Sequence, residues 1–264
     1  SREGRKAMTK TSAVELVVVP CRRDNYAFLV HNAETGETAL VDAPEAAPIQ
    51  AALDARGWKL DDILITHHHD DHIDAVDILR GAARVVGAKA DAHRLPDLDL
   101  AVSEGDVITV CGQQTDVLDV SGHTIGHIAF HMPGAALVFT ADSLMALGCG
   151  RLFEGQPAQM WDSMQKLRAL PDDTLICSGH EYTAANALFA ASLDPDNPDL
   201  ISRIKGIAAA RAAGQATVPS TLTLEKRTNP FLRADLPEFK SVMGMADASA
   251  VDVFTKVRAL KDRF

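Results

Sequence analysis

The stretch Thr66-His67-His68-His69-Asp70-Asp71-His72 directly follows the apolar run Ile63-Leu64-Ile65, which predicts a buried β-strand. Buried imidazoles need partners for their lone pairs, and neighbouring carboxylates repel one another. A divalent cation satisfies both kinds of group at once. The stretch therefore predicts a metal site at the end of a strand, with a solvated histidine-rich loop as the alternative.

Strand geometry separates the histidines of this stretch. Successive side chains of a strand point to opposite faces, so His67 and His69 would share one face while His68 points away. Apolar residues at positions 73, 76 and 79 then predict a helix over 73–80. The strand end and the start of the helix would together surround one pocket with His67, His69, Asp71 and His72.

The composition indicates an ordinary globular protein and argues against some partners. The chain has 264 residues, of which 47% are hydrophobic and 23% charged, enough for one large domain or a catalytic domain with a small addition. Its net charge of -10 argues against a nucleic-acid partner, because phosphate binding needs a basic surface. The sequence has no run of about 18 apolar residues, so it predicts no membrane span. We expect a cytoplasmic monomer with a small-molecule substrate and no membrane partner.

The first seven residues, Ser1 to Ala7, are polar and basic and lack the apolar core of a signal peptide. Met8 follows them directly. We therefore interpret residues 1–7 as a vector-derived extension and Met8 as the native start.

Three more predicted strands also run into histidine or aspartate. Strand 115–120 leads into Ser121-Gly122-His123, strand 136–140 into Ala141-Asp142, and strand 174–177 into Ser178-Gly179-His180. The glycine ahead of each histidine lets the backbone turn sharply and aim the ring inward. These strand ends would meet at one edge of a layered α/β fold.

The chain changes character after His180. Segments 181–191, 199–213 and 251–261 are predicted helices, and segment 217–233 is predicted to be a polar loop. We therefore predict a catalytic domain over residues 8–180 and a mainly helical, substrate-binding domain over residues 181–264.

The number of candidate ligands favours two metals over one. More donors are present than an open tetrahedral site accepts, whereas two cations roughly 3.5–4 Å apart that share a water would use them all. Two cations convert a shared water into a hydroxide that is a strong nucleophile near neutral pH. Imidazole and carboxylate ligands suit zinc, which we expect here, as well as iron or manganese. The first set is His67, His69 and His123, the second is Asp71, His72 and His180, and Asp142 offers an oxygen to each metal.

The pattern His67-x-His69-x-Asp71-His72, with His123, Asp142 and His180 downstream, resembles the metallo-β-lactamase superfamily. That resemblance implies an αββα sandwich with a dinuclear site on its edge, in which Asp71 and Asp142 act with a bridging hydroxide. From about Val14 onward the chain resembles the hydroxyacylglutathione hydrolases, or glyoxalase II. Segments that carry this second resemblance include 148–151, 179–183, 228–231 and 258–262.

The glyoxalase II resemblance implies hydrolysis of S-lactoylglutathione to D-lactate and glutathione, the second step of methylglyoxal detoxification. It places a cationic clamp for the glutathione carboxylates at Arg258 and Lys261, one helical turn apart. Arg151 stands where the family usually has lysine. Tyr182 matches a tyrosine that contacts substrate. Phe153 stands where tyrosine is common, so a hydroxyl contact to the peptide would be missing.

Other functions remain open from the sequence. A lactonase or lactamase of the same superfamily would share the ligands, and so would a mononuclear iron glutathione-persulfide dioxygenase, although the full second ligand set argues against a single metal. A protein of another class, a metal-binding or interaction module with a dead site, is disfavoured because every candidate ligand is present. His127 is expected to pack beside the site rather than bind metal, and Cys149 has no assigned base.

Overall fold

The computed structural model describes residues 14–264, so the predicted extension at residues 1–7 and the predicted start at Met8 lie outside the described residues. The chain divides into two compact units, which are described separately. The first unit comprises residues up to Asp119 together with Gly126–Phe139, and the second comprises Val120–Ile125 with Thr140–Phe264. Among residues 14–264, no helix combines the length and apolarity that crossing a bilayer requires.

The described elements include both strands and helices. The strands are β1 (Val14–Cys21), β2 (Asn25–Asn32), β3 (Thr38–Val41), β4 (Asp62–Leu64), β5 (Arg84–Ala88), β6 (Leu100–Val102), β7 (Val107–Val110), β8 (Gln113–Asp119), β9 (Ile128–Met132), β10 (Leu137–Ala141), β11 (Leu144–Met145), β12 (Gly148–Cys149), β13 (Leu175–Ser178) and β14 (Ser220–Thr221). The α-helices are α1 (Ala46–Arg56), α2 (Asp70–Ile73), α3 (Val76–Leu79), α4 (Pro157–Arg168), α5 (Thr183–Leu193), α6 (Pro198–Ala212), α7 (Leu222–Thr228), α8 (Pro237–Val242) and α9 (Ala250–Arg263). Short 3₁₀ helices cover Lys89–Arg94, Pro133–Ala135 and Pro230–Leu232.

The first unit contains a sheet of order β1-β2-β3-β4-β5-β6. Strands β1 to β3 are antiparallel neighbours, and β3 to β6 run parallel to one another. Ile63 and Ile65, in and just after β4, pack in one apolar cluster with Ile49 and Leu53 of α1. Because β4 lies between two parallel partners and under a helix, the chain leaves the sheet at a fixed position, Thr66.

Strands β7 to β10 of the first unit are antiparallel neighbours in sequence order. They face the first sheet, since the rings of Phe28 on β2 and Phe139 on β10 lie 5.7 Å apart. A side-chain amide fastens the two layers, because Asn32 Nδ2 donates to the carbonyl of Cys111 at 2.7 Å. The first unit therefore has two stacked sheets with α1 on the outer face of one of them.

The second unit is mainly helical, with two small antiparallel strand pairs, β11–β12 and β13–β14. Trp161 of α4 and Phe254 of α9 contact each other at 5.8 Å between ring centres. Leu147, between β11 and β12, packs in a second apolar cluster with residues of α5 and α6. This unit contains the helices that the sequence predicts after His180, here α5, α6 and α9.

The prediction of one continuous helix over residues 73–80 is wrong. The structure has two short helices there, α2 and α3, with a break at Ala75. The amide of Ala75 donates to the carbonyl of Ala43 at 3.0 Å instead of to a carbonyl one turn earlier. This tertiary hydrogen bond has no signal in the spacing of apolar residues.

The predicted polar loop over 217–233 is also corrected. It contains β14, α7 and a 3₁₀ helix. The Thr221 side chain caps α7 by accepting from the amide of Leu224 at 3.3 Å. The helix buries Leu222 and Glu225, and a buried glutamate looks like a surface residue in sequence.

Candidate metal centre

Asp42 organises the donors of the first unit. It follows β3 directly, is buried, and has a positive φ of 59°. Its Oδ1 accepts from the amide of Thr66 at 2.8 Å, and its Oδ2 accepts from the Thr66 hydroxyl and from His72 Nδ1, both at 2.7 Å. This role of Asp42 was not predicted from the sequence, although Asp42 carries the same signal as the predicted ligands, an aspartate after an apolar strand.

These hydrogen bonds determine which nitrogen of each ring carries the proton. His72 Nδ1 faces a carboxylate and donates to it, so the neutral ring has its lone pair on Nε2. The Thr66 hydroxyl gives its proton to Asp42 and therefore accepts from His67 Nδ1, at 2.9 Å. His67 and His72 thus both present Nε2 as an electron-pair donor, as metal-binding histidines do.

The donor set of the first unit fits a cation. His72 Nε2 lies 3.4 Å from Asp71 Oδ2, so the lone pair of the neutral ring faces a carboxylate oxygen. The ring centres of His67 and His69 lie 5.0 Å apart, and those of His67 and His72 lie 4.2 Å apart. Bringing so many electron-pair donors together is unfavourable without a positive charge among them.

The remaining histidines near this turn support the ligands. His127 is fully buried and stacks on His67 at 4.4 Å with an interplanar angle of 14°. His68 contacts His69 edge to face at 4.8 Å. Asn25 Nδ2 donates to the carbonyl and to Oδ2 of Asp71, at 3.1 and 3.0 Å. The sequence shows Asn25 only as part of a turn, so nothing in it indicates this contact.

The second unit brings the other three predicted ligands together. Asp142 is buried, and its Oδ2 lies 3.5 Å from His123 Nε2 and 3.3 Å from His180 Nε2. His123 Nδ1 lies 2.8 Å from the carbonyl of Arg151, which can only accept, so the neutral His123 ring also has its lone pair on Nε2. One carboxylate oxygen therefore faces two imidazoles, which suits a carboxylate shared between metals.

Two glycines allow this close packing. Gly122, directly before His123, has a φ of +148°, and a Cβ there would lie 2.8 Å from Met160 Cβ. At Gly150 a Cβ would lie 1.9 Å from the Asp142 carbonyl oxygen and 2.8 Å from His123 Nδ1. The sharp turn predicted at Gly122 is confirmed, and Gly150 proves essential to the contact between two ligand segments.

Two predicted substrate-binding aromatics lie beside ligands in the second unit. The Tyr182 ring is stacked on His180 at 4.6 Å and is 38% exposed. The Phe153 ring meets His123 edge to face at 5.2 Å and is 63% exposed. Both rings therefore present an accessible face next to a candidate metal ligand.

The predicted cationic clamp is more constrained than its sequence suggests. Arg258 is only 4% exposed. Its Nη1 donates to the Cys149 carbonyl at 2.7 Å. Its Nε and Nη2 lie 3.0 and 2.8 Å from Asp262 Oδ1. Burial, together with the positive charges of Arg258 and Arg151, lowers the pKa of Lys261. The three predicted cations are neighbours, and Arg151 is the exposed one.

Comparisons with known proteins agree with the residue pattern. Residues 22–180 match the model of the metallo-beta-lactamase superfamily, and residues 181–264 match the model of the hydroxyacylglutathione hydrolase C-terminus. Hydroxyacylglutathione hydrolases of Jannaschia sp. (strain CCS1) and Ruegeria pomeroyi are each 63% identical over 95% of this chain, and the alignments span 98% and 99% of those proteins. The crystal structure of TTHA1623 in a di-iron-bound form is 26% identical, with a TM-score of 0.60 over 81% of this chain and 98% of that one. The chain therefore belongs to the hydroxyacylglutathione hydrolase family and has the mixed α/β fold of the metallo-beta-lactamase superfamily.

Proposed function

We propose that this protein is a metal-dependent thioesterase that hydrolyses S-(2-hydroxyacyl)glutathione, with S-lactoylglutathione as substrate, to the 2-hydroxy acid and glutathione. The observation that carries the proposal is the single Asp142 oxygen facing both His123 and His180. Support also comes from relatives that bear the name hydroxyacylglutathione hydrolase at 63% identity over nearly their whole length.

We propose that the chain binds two divalent cations through its candidate histidines and aspartates. Zinc is the proposed metal, with iron and manganese as alternatives of similar ligand preference; TTHA1623, a relative in fold, has been crystallised with two irons. When bound, such a pair lowers the pKa of a water molecule towards ~7 and polarises a carbonyl group. As proposed from the sequence, the first set would be His67, His69 and His123, the second would be Asp71, His72 and His180, and Asp142 would offer an oxygen to each metal.

The chain's own groups orient the donors of these sets. Asp42 holds His72 directly and His67 through the Thr66 hydroxyl. The carbonyl of Arg151 holds His123. Fixed rings and tautomers reduce the reorganisation needed during the reaction. We propose Asp71 and Asp142 as the carboxylates that accept hydrogen bonds from the attacking water.

The leaving group explains why no separate general acid is needed. Water attacks the acyl carbon, the C–S bond breaks, and glutathione leaves as a thiolate whose conjugate thiol has a pKa of roughly 8.5. A thiolate of this basicity is stable enough to leave with little protonation.

We propose that both aromatics and the region around the three cations form the substrate-binding site. Tyr182 and Phe153 would flank the thioester beside His180 and His123. The positive charge around Lys261 would attract the glutathione carboxylates to an otherwise acidic protein. Because Arg258 already binds Cys149 and Asp262, we propose that it acts mainly by fixing this region, with direct contact made by Arg151 and Lys261.

A thioester panel tests the proposed reaction. Release of free thiol should be fastest from S-lactoylglutathione, slower from glutathione thioesters that lack the 2-hydroxyl, and negligible from thioesters without glutathione. Metal content on the same preparation should be two ions per chain. His69→Ala should lose metal and hydrolysis together, whereas thiol release by metal-free protein would refute the proposal.

We further propose that the chain has a catalytic domain over residues 8–180 and a helical substrate-binding domain over residues 181–264. We also propose that the protein is a monomer and that it is cytoplasmic. All four cysteines are buried and free of disulfides, which suits a reducing compartment. Light scattering at micromolar concentration tests the monomer.

A further inference from the structure

A short hairpin in the second unit connects two parts of the candidate metal centre. Residues 142–151, which we call the donor hairpin, begin at Asp142, pair through β11 and β12, and end at Arg151. The amide of Gly150 donates to the Ser143 carbonyl at 3.0 Å and closes its base. One end thus carries a shared carboxylate, and the other carries the carbonyl that orients His123. The conformation of the donor hairpin therefore sets the spacing between these groups.

The interactions within the donor hairpin are too few to fix its conformation. Each of its strands has only two residues, and an isolated two-stranded hairpin is marginal in water. Its turn places Leu147 at a φ of +57°, which is unfavourable for a residue with a bulky side chain. Groups outside the hairpin must therefore hold it.

Glu225 in α7 and Asn229, directly after the C-terminal end of α7, supply those groups. Glu225 Oε1 accepts from the amide of Leu147 at 2.8 Å. Asn229 Nδ2 donates to the carbonyls of Met145 and Gly148, at 3.0 and 3.1 Å. The same amide lies 3.3 Å from Glu225 Oε1, so the two side chains form one unit against the hairpin tip.

The Glu225 carboxylate is itself locked in place. It is fully buried, and its Oε2 accepts from Arg203 Nη2 and Ser220 Oγ, both at 2.6 Å. Arg203 also donates to the Thr228 hydroxyl at 2.8 Å. A buried carboxylate with this many partners is a rigid anchor rather than a mobile charge.

We infer that Glu225 and Asn229 are positioning residues for the metal centre, which act by fixing the donor hairpin so that Asp142 and His123 keep their mutual geometry. The inference rests on the proposed function and adds two residues that touch neither candidate ligands nor substrate. Their effect on the reaction passes through the backbone of residues 145–148.

The test compares Glu225→Gln with a matched control, Asp194→Asn. Asp194 forms another buried ion pair, with Arg233 in the same unit, at 2.7 Å, and within residues 14–264 it makes no hydrogen bond to the donor hairpin. Both changes replace a buried carboxylate with an amide of the same shape. Readouts are the visible absorption spectrum of the cobalt(II)-loaded protein, the rate of metal loss to a chelator, kcat and KM separately, and Tm.

We expect both variants to lower Tm, but only Glu225→Gln to alter the cobalt spectrum. Its metal loss should be about ten-fold faster and its kcat about ten-fold lower, with KM within about two-fold of the original. Asp194→Asn should keep the original spectrum, metal loss and kcat.

The inference is overturned if Glu225→Gln differs from the control only in Tm. Should Glu225→Gln not fold, Asn229→Ala is measured in the same way and decides the question by the same criteria. The proposed function is judged separately, because it depends on the metal content and substrate panel of the unmodified protein.

Discussion

Asp42 uses two oxygens to accept three hydrogen bonds and so determines the orientation of His72 and, through Thr66, of His67. An asparagine of the same shape could keep only part of this pattern, because its NH₂ group cannot accept a hydrogen bond from His72 Nδ1. We predict that Asp42→Asn lowers metal affinity about 10–100-fold. Competition with a chelating dye measures this loss.

Asp54→Asn is the control for the charge removed from Asp42. Asp54 lies exposed on α1, and its Oδ1 accepts from Gln50 Nε2 at 2.8 Å. Equal metal affinity in the two variants would contradict the role given to Asp42.

Replacement by alanine is expected to have opposite effects at two glycines, Gly150 and Gly206. Gly150→Ala would place a Cβ 1.9 Å from the Asp142 carbonyl oxygen, so backbone must move and we expect loss of bound metal and of hydrolysis. Gly206 lies within α6, and a Cβ added there would have no heavy atom of residues 14–264 within 4 Å beyond its own stretch of helix. Gly206→Ala should therefore stabilise the fold by about 0.5–1 kcal/mol. Denaturant unfolding and metal analysis of both variants check the contrast.

The four cysteines predict low thiol reactivity. Burial raises the pKa of Cys21 and Cys111 to about 12 and that of Cys149 to about 11, and it also raises the pKa of Cys177. Because the thiolate is the reactive form, native protein at pH 8 should react very slowly with a disulfide reagent. All four thiols should react after unfolding in guanidinium. Rapid modification of any thiol in the native protein would contradict this expectation.

At the scale of elements, an ion pair joins α4 to the segment after the 3₁₀ helix at residues 230–232. Arg168 binds Asp235 through two parallel contacts, at 2.6 and 2.7 Å. The hydrogen bonds from Arg168 lower the pKa of Asp235 below its ordinary value of 3.8. A lowered folded-state pKa adds stability that is present above pH ~4 and disappears as the pH falls through the folded value.

We predict that Asp235→Asn destabilises the protein near pH 6 and that its deficit shrinks below about pH 4. Urea unfolding at several pH values measures the deficit. Asp172→Asn, which removes an exposed pair with Lys226, is the control and should cost little at any pH. A deficit of Asp235→Asn that grows as the pH falls would show that the sign is wrong.

Elements with local signals were predictable, and elements made by distant contacts were not. Helix α1 ends at Gly57, whose left-handed conformation is the local end signal that glycine commonly provides. The break between α2 and α3 comes from the carbonyl of Ala43, which is distant in sequence from Ala75. Helix α7 was missed because its buried Glu225 and its flanking prolines resemble a polar loop.

The candidate ligands were predictable because each follows an apolar strand. Their supporting groups were harder to predict, since Asn25, Glu225 and Asn229 act through backbone contacts to residues far away in sequence. The buried state of Arg258 was equally hidden, because its position on a helix shows spacing but not the carbonyls it meets.

For the whole molecule, metal binding should be linked to folding. A ligand that binds only the folded state stabilises it by about 2.7 kcal/mol when its concentration is 100 times Kd. We predict that chelator-treated protein melts at a lower temperature and that added zinc, iron or manganese raises Tm in a concentration-dependent way. Differential scanning calorimetry measures the shift, which His69→Ala should reduce. An unchanged Tm with metal would count against a site formed by folding.

The donor hairpin bears on how this protein can be recombined with its relatives. Its backbone is held by Asn186, Glu225, Asn229 and Arg258, all of which follow residue 180 in the chain. A chimaera joined at residue 180 would therefore inherit Asp142 from one parent and the side chains that hold its hairpin from the other. Such hybrids should work only when both parents carry compatible partners at these positions, so the two segments are expected to have diverged in concert.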